Sequence, residues 1–324
     1  MTKMASRRDF ISGVTAVGTS AIVSGQARSG SDARIRVLGN RQSIFYAPFI
    51  ATVAGGFLKA EGLEPSFTWP GSQNVLEAVR SGAADVTQSA VSSYWTASEA
   101  GGKDLPVHIA QINQRDGFFL LRRGPKARFE WRELEGKTLL ADRGGQPLLM
   151  LRYALDYHHV DWSKVKVIDD PSPAALYDKF KSGAGDFVHL QGPAPQQLEI
   201  DKLGAEAASL GASTPLVAFS SVAASREFLR TPKYQAFLRA FAKAKTWAQN
   251  APAREIAEKE EQYVPGFSRE ALTAAIARYQ AIATWKGGIE IPQDQYEQAQ
   301  KIFSWGAAIK QTHRYEEVCA SPSK

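Results

Sequence analysis

The 324-residue chain predicts an α/β protein of two open lobes, each a sheet covered by helices, followed by a helical tail. Three observations predict it: a helix-to-strand unit that occurs twice, strand and helix patterns that alternate around each copy, and amphipathic helical stripes from Ser225 onward. Such alternation usually folds into parallel sheets flanked by helices.

The repeated unit spans residues 75–86, V-L-E-A-V-R-S-G-A-A-D-V, and residues 175–187, A-L-Y-D-K-F-K-S-G-A-G-D-F. In each copy a helical period of apolar residues (Val75, Leu76 and Val79; Leu176 and Phe180) stops at Ser-Gly, and an Asp opens a short apolar strand. Gly82 and Gly183 suit the left-handed position that ends a helix, where a side chain would clash.

Around the first copy the pattern predicts strand 34–39, helix 46–61, strand 64–69, helix 72–81, strand 85–88, helix 92–100 and strand 107–113. Around the second it predicts strand 138–141, helix 146–157, strand 165–168, helix 173–182, strand 187–190, helix 194–203 and strand 206–210. The apolar stretches 118–122 and 216–223 flank the second unit and read as the two crossings between lobes. Residues 28–119 and 222–324 then form lobe I, and 120–221 lobe II. The tail predicts helices 233–249, 253–263, 269–284 and 293–310, with apolar stripes such as Phe237, Ala240, Phe241 and Trp247. Pro265-Gly266 and Lys286-Gly287-Gly288 separate them, and the first lobe is their expected host.

The N-terminus bears on compartment. Arg7-Arg8 precedes a weakly apolar run, 11–23, that contains Gly13, Gly18 and several Ser and Thr. A spanning helix needs about 20 mostly apolar residues, so the run reads as a signal peptide, residues 1–27, and not as a membrane span. The arginine pair points to the twin-arginine route; ordinary Sec export stays open, since Ile11 and Ser12 depart from the usual pattern. The periplasm is the expected location. The single cysteine, Cys319, excludes an internal disulfide and a Cys-rich metal site. The formal charge of +6 is spread without a basic run of five or more, which argues against a nucleic-acid partner.

The succession A-P-F-x-A (47–51), G-G-F-L-K-A-E-G-L-E-P (55–65) and L-E-A-V-R-S-G-A-A-D-V (76–86) resembles the sulfonate, nitrate and taurine class of ABC-importer substrate-binding proteins. So do Leu134-Glu135-Gly136-Lys137 and the stretch 227–247, and the resemblance covers nearly the whole mature chain in order. It implies a type II periplasmic-binding-protein fold, with two α/β lobes on a two-segment hinge that close on a small molecule. It further implies delivery to an importer's permease and ATPase subunits, by a monomer, with no cofactor and no chemistry.

In open α/β sheets ligands bind beyond the carboxyl ends of the strands. That rule nominates Asn40, Gln42, Ser43 and Tyr46 after the first strand, with Arg41 and Phe45 beside them. Gly71 and Ser72 follow the second strand, Ser72 as a helix cap that leaves backbone N–H groups for an anion. Gln88 and Ser89, with Tyr94 and Trp95, follow the third, and Asn113 and Arg115 the fourth. From the second lobe come Asp142, Arg143, Gly144 and Gly145, whose paired glycines let backbone amides approach an oxyanion. His189, Gln191 and Gly192 form the matching edge, with Ser220 and Ser221 at the second crossing. The expected ligand is a small organic anion, with Arg143 or Arg115 near its charge and Tyr46 or Trp95 against its body.

Enzyme signatures are sparse. His158 and His159 are adjacent, so on a helix they point about 100° apart and do not form an i, i+4 metal pair. No H-E-x-x-H, G-x-S-x-G or Walker loop occurs. The alternative is an exported or cytoplasmic enzyme of the same fold that acts on a small aromatic acid or a thiamine-pyrimidine precursor.

Overall fold

The computed structural model describes residues 33–71 and 73–320. The predicted signal peptide and Ser72 lie outside the described residues. The first strands are β1 (Arg34–Leu38), β2 (Glu64–Thr68), β3 (Val86–Ser89) and β4 (Val107–Asn113). Between them come α1 (Ala47–Ala54), α2 (Phe57–Ala60), α3 (Val75–Arg80) and α4 (Val91–Glu99). Next are β5 (Phe118–Arg123), β6 (Thr138–Asp142), β7 (Lys166–Asp170), β8 (Phe187–Gln191) and β9 (Gly204–Ser209). Their helices are α5 (Gly145–Tyr157), α6 (Pro173–Lys181), α7 (Ala194–Ile200) and the single turn α8 (Leu210–Ser213). After β10 (Ser220–Ala224) the tail holds α9 (Pro232–Asn250), α10 (Ala253–Glu260), α11 (Arg269–Ala281), α12 (Gln293–Trp305) and α13 (Tyr315–Val318). No helix among the described residues is long and apolar enough to cross a membrane.

The strands make two five-stranded sheets, ordered β2-β1-β3-β10-β4 and β7-β6-β8-β5-β9. Neither is wholly parallel, which corrects the sequence expectation. The two stretches read only as crossings are ladder strands: β10 runs antiparallel to β3 and β4, and β5 antiparallel to β8 and β9. Geometry explains this. A chain that crosses between lobes enters the new sheet from the cleft, so its strand runs away from the cleft, whereas the parallel strands run towards it. Central strands β3, β5, β8 and β10 are mostly or wholly buried, while the edge strands β2 and β7 hold no buried residue, as helices on both faces of the sheet centre require.

The repeat has a physical basis. Gly82 and Gly183 both hold positive φ, 75° and 103°. The N–H groups of Ala84 and Ala184 close each helix on Ala78 and Lys179, both at 2.9 Å. Asp85 accepts the Arg36 N–H at 2.7 Å and Asp186 accepts the Thr138 N–H at 2.8 Å, so each aspartate pins its strand to the parallel neighbour beside it, β1 or β6.

Two helix boundaries differ from the sequence reading. The predicted helix 46–61 breaks at Gly55-Gly56, where Gly56 has φ 75°. Helix α3 starts at Val75, not at residue 72, because the Asn74 side chain caps it by accepting the Leu76 and Glu77 N–H groups at 3.0 and 3.1 Å. In the tail, α9 packs on α1 and α2 and α10 on α1, as expected of the first lobe. Helices α11 and α12 instead straddle both lobes: α11 lies against α7 and the turn Ile44–Tyr46, and α12 against α4 and α5.

Candidate functional site

Strand ends from both sheets meet around a cavity of about 360 Å³. The first lobe lines it with Asn40 and Arg41 after β1, Tyr46 before α1, and Gln88, Ser89, Ala90 and Ser93 around the β3–α4 junction. The second lobe contributes Phe118, Gln146, Pro147, Pro173 and Gln191, and the return passage Phe219 and Ser220.

Its charged centre is the ion pair between Arg41 and Asp142, which joins the two lobes. Asp142 is buried, and its other carboxylate oxygen accepts the Gly144 N–H at 2.8 Å. The Arg41 guanidinium lies 5.1 Å from the Phe118 ring centre, and Phe118 stacks on the His189 ring at 4.4 Å. Burial drives the His189 pKa down to about 3, so the imidazole is neutral, and neither ring nitrogen has a hydrogen-bond partner. Behind them Asp116 donates no charge cheaply: burial pushes its pKa up to about 7, opposed by the Phe118 N–H at 2.7 Å and by Arg41.

Uncharged contacts tie the lobes around the same cavity. The Ser43 hydroxyl donates to the Gly192 carbonyl. Ser92 donates to Gln146 at 2.9 Å, and the Gln146 amide donates to the Phe219 carbonyl at 2.9 Å. Tyr279, on α11, accepts the Gly192 N–H and donates to the Gly117 carbonyl, both at 2.8 Å. In the wall itself, Gln88 accepts from the Asn40 and Arg41 backbones at 3.2 and 3.4 Å. The buried Ser89 hydroxyl and Gln191 carbonyl oxygen have no partner in the protein. Buried polar atoms left this way are groups that a bound solute or water satisfies.

Of the residues nominated from sequence, the cavity wall unites Asn40, Arg41, Tyr46, Gln88, Ser89, Gln191 and Ser220. Asn113 lies behind it and donates to Ser220 at 2.7 Å, and Ser43, Asp142, Gly144 and His189 form the support just described. Others are elsewhere. Arg115 donates to the Gly211 carbonyl at 2.6 Å, and Arg143 is exposed beside Asp169 at 3.4 Å, so neither is the cation of the cavity; Arg41 is. Gln42, Gly71 and Gly145 are exposed and line nothing. Trp95 is fully buried and donates to the Tyr296 hydroxyl at 2.9 Å, which makes it core of the first lobe, not a wall against a ligand. Phe118, Phe219 and Gln146 are wall residues that the strand-end rule missed.

Residues 44–255, more than half of the chain, match the family model described as NMT1/THI5 like. A Bacillus subtilis (strain 168) protein described as "Putative binding protein YtlA" is 27% identical over 291 residues, covering 88% of this chain and 87% of that one. The ligand-binding component of an ABC-type import system from Staphylococcus aureus, solved with zinc bound, superposes with a TM-score of 0.71 at 13% identity, covering 89% of this chain and 96% of that one. The alkanesulfonate-binding protein SsuA from Xanthomonas axonopodis pv. citri, bound to MOPS, gives 0.67 at 15% identity, covering 90% and 99%. These likenesses show the fold: the type II periplasmic-binding-protein fold, two α/β lobes joined by a two-segment hinge.

Proposed function

The chain belongs to the NMT1/THI5-like family, and from that premise we propose that it is the solute-binding component of an ABC importer, a monomer that captures a small organic anion by hinge closure. The observation that carries this reading is a cavity whose wall is divided between two lobes, with the Arg41–Asp142 ion pair spanning it. A solute that touches both walls favours the closed arrangement because those contacts exist only there. The hinge consists of residues 114–117 and 210–219, between β4 and β5 and between β9 and β10.

Arg41 supplies the positive charge. One of its terminal nitrogens serves Asp142, and a guanidinium carries five N–H donors in all, so donors remain for a carboxylate or sulfonate. The Tyr46 ring and Phe118 lie against the body of the solute, and Ser89 and Gln191 offer it hydrogen bonds. The wall side chains include no histidine, cysteine or carboxylate, which favours capture without chemistry. Export to the periplasm and hand-over to a permease and its ATPase belong to the same reading, supported by the export signal read in the sequence and by what the S. aureus and X. axonopodis proteins are described as doing.

Isothermal titration of the mature protein with methanesulfonate, nitrate, acetate and benzoate tests the reading, with small-angle scattering to follow closure. Heat together with a smaller radius of gyration is expected for at least one anion, and the ligand is recovered chemically unchanged. No heat from any anion, alongside binding of neutral or cationic metabolites, overturns the anion; turnover overturns the binder.

A further inference from the structure

The inter-lobe cavity does not end at its own wall. A second cavity, about 830 Å³, lies wholly on the first lobe, between α3, the far end of α4 and the loop that leads to β4. The two cavities share Asn40 and Ser93. Asn40 is exposed and Ser93 half-buried, so the junction is not sealed by packed core.

We propose that the two cavities form one binding site for an elongated organic anion, its charged head at Arg41 and its polar tail running past Asn40 and Ser93 into the first-lobe groove. The proposal rests on the reading of the cleft as a solute site and extends it to the shape and class of the solute.

Volume supports it. At about 30 Å³ for each water-sized group, the inter-lobe cavity holds roughly a dozen non-hydrogen atoms. A larger solute extends beyond it, and past the shared residues Asn40 and Ser93 lies a space more than twice as large. The chemistry of the groove sets the class of the tail. Glu77 and Arg80 line it but neutralise each other, with two contacts at 2.7 Å, and Lys103 and Asp104 add one charge of each sign. A groove of balanced charge favours hydroxyl, ether or amide groups over a second anion.

The placement also divides the labour of binding. Contacts in the groove involve one lobe only, so they are the same in the open and closed arrangements and cannot bias closure. The head drives closure, and the tail adds affinity.

The test is isothermal titration of the mature protein with sulfonates that carry hydroxyl-terminated ethylene-glycol tails of increasing length, beside methanesulfonate. Wild-type affinity is expected to rise about tenfold or more, or 1.4 kcal/mol and above, between the shortest and longest members. Thr96→Trp fills the groove from an exposed position on α4 that does not line the inter-lobe cavity, and Lys103→Trp does so from the loop that leads to β4. Both variants are expected to abolish the gain with length and to keep the methanesulfonate affinity within about twofold. Scattering is expected to record the same compaction for short and long members. If affinity is flat or falls with length, or the tryptophans leave the series unchanged, the groove is not part of the site although short anions still bind. If no member of any length binds, the solute-site reading itself has failed.

Discussion

The Arg41 guanidinium on the first lobe is ion-paired with the Asp142 carboxylate on the second, 101 positions later in the chain. Asp142 is almost wholly buried, at 1% side-chain exposure, while Arg41 keeps 27%. The cation of the cavity and its counter-ion thus meet at the point where the two halves of the wall come together.

Arg41→Ala is expected to weaken binding of an anionic solute about 10- to 100-fold, the range for losing a charge-assisted hydrogen bond of roughly 1.5–3 kcal/mol. Arg143→Ala, which removes an exposed side chain paired only with Asp169, is expected to change affinity by less than about twofold. Titration of both variants against the same anion checks this, and equal losses would contradict the assignment of Arg41.

Tyr279→Phe removes one hydroxyl by which α11 holds two backbone groups at the adjoining ends of β5 and β8, the Gly117 carbonyl and the Gly192 N–H. Each is left buried and unsatisfied, at about 1–3 kcal/mol per group before any water enters. A loss of about 2–4 kcal/mol in urea unfolding is expected, with a broader distribution of lobe separations in scattering.

Asp116 predicts a pH effect with a definite sign. Its carboxyl is held protonated up to about pH 7 in the folded state, against an ordinary value of 3.8. The folded protein thus binds the proton more tightly than the unfolded chain, and this site costs stability progressively as pH rises from about 4 to about 7. Asp116→Asn keeps an oxygen for the Phe118 N–H and removes the penalty. The variant is expected to gain on the wild type through that window, by up to about 4 kcal/mol at pH 8. The buried Glu260 shifts in the same direction, so the difference between the two proteins, measured by denaturant midpoints at pH 4 and pH 8, isolates Asp116.

Gly117 has no room for a side chain: a Cβ there would lie 2.5 Å from the Phe45 ring. Phe45 cannot retreat, because Tyr46, Phe219 and Tyr279 pack around it with ring centres 5.0–5.5 Å away. Gly117→Ala is expected to cost about 1–3 kcal/mol as an overpacked core does, seen as a lower denaturant midpoint at unchanged slope.

Local signals were readable and long-range ones were not. Gly82 with Asp85, and Gly183 with Asp186, reveal their unit because the helix stop and the strand start lie within a few residues of one another. The antiparallel pairing of β10 depends on the direction from which the chain returns, which no local pattern encodes. The site divides in the same way. Asn40, Gln88, Ser89 and Gln191 follow from the rule that parallel strands point their carboxyl ends at the cleft. Phe118 and Phe219 escape that rule because an antiparallel strand presents its amino end there. Arg143 fails for a different reason: Asp142, the last residue of β6, is buried against Arg41, while Arg143 has already left the strand and is exposed beside Asp169.

The placement of β10 also sets an order of assembly. The second sheet is drawn from one uninterrupted run, residues 118–209, and can be completed as soon as that run has been synthesised. The first sheet waits, because β10 must insert between β3 and β4, so β4 stands as an unpaired edge from residue 113 until residue 220 emerges. A chain cut short before Ser220 is expected to carry a finished second lobe beside an open, aggregation-prone first one. Whatever escorts the nascent protein must shield the older half of the molecule while the younger half is already folded.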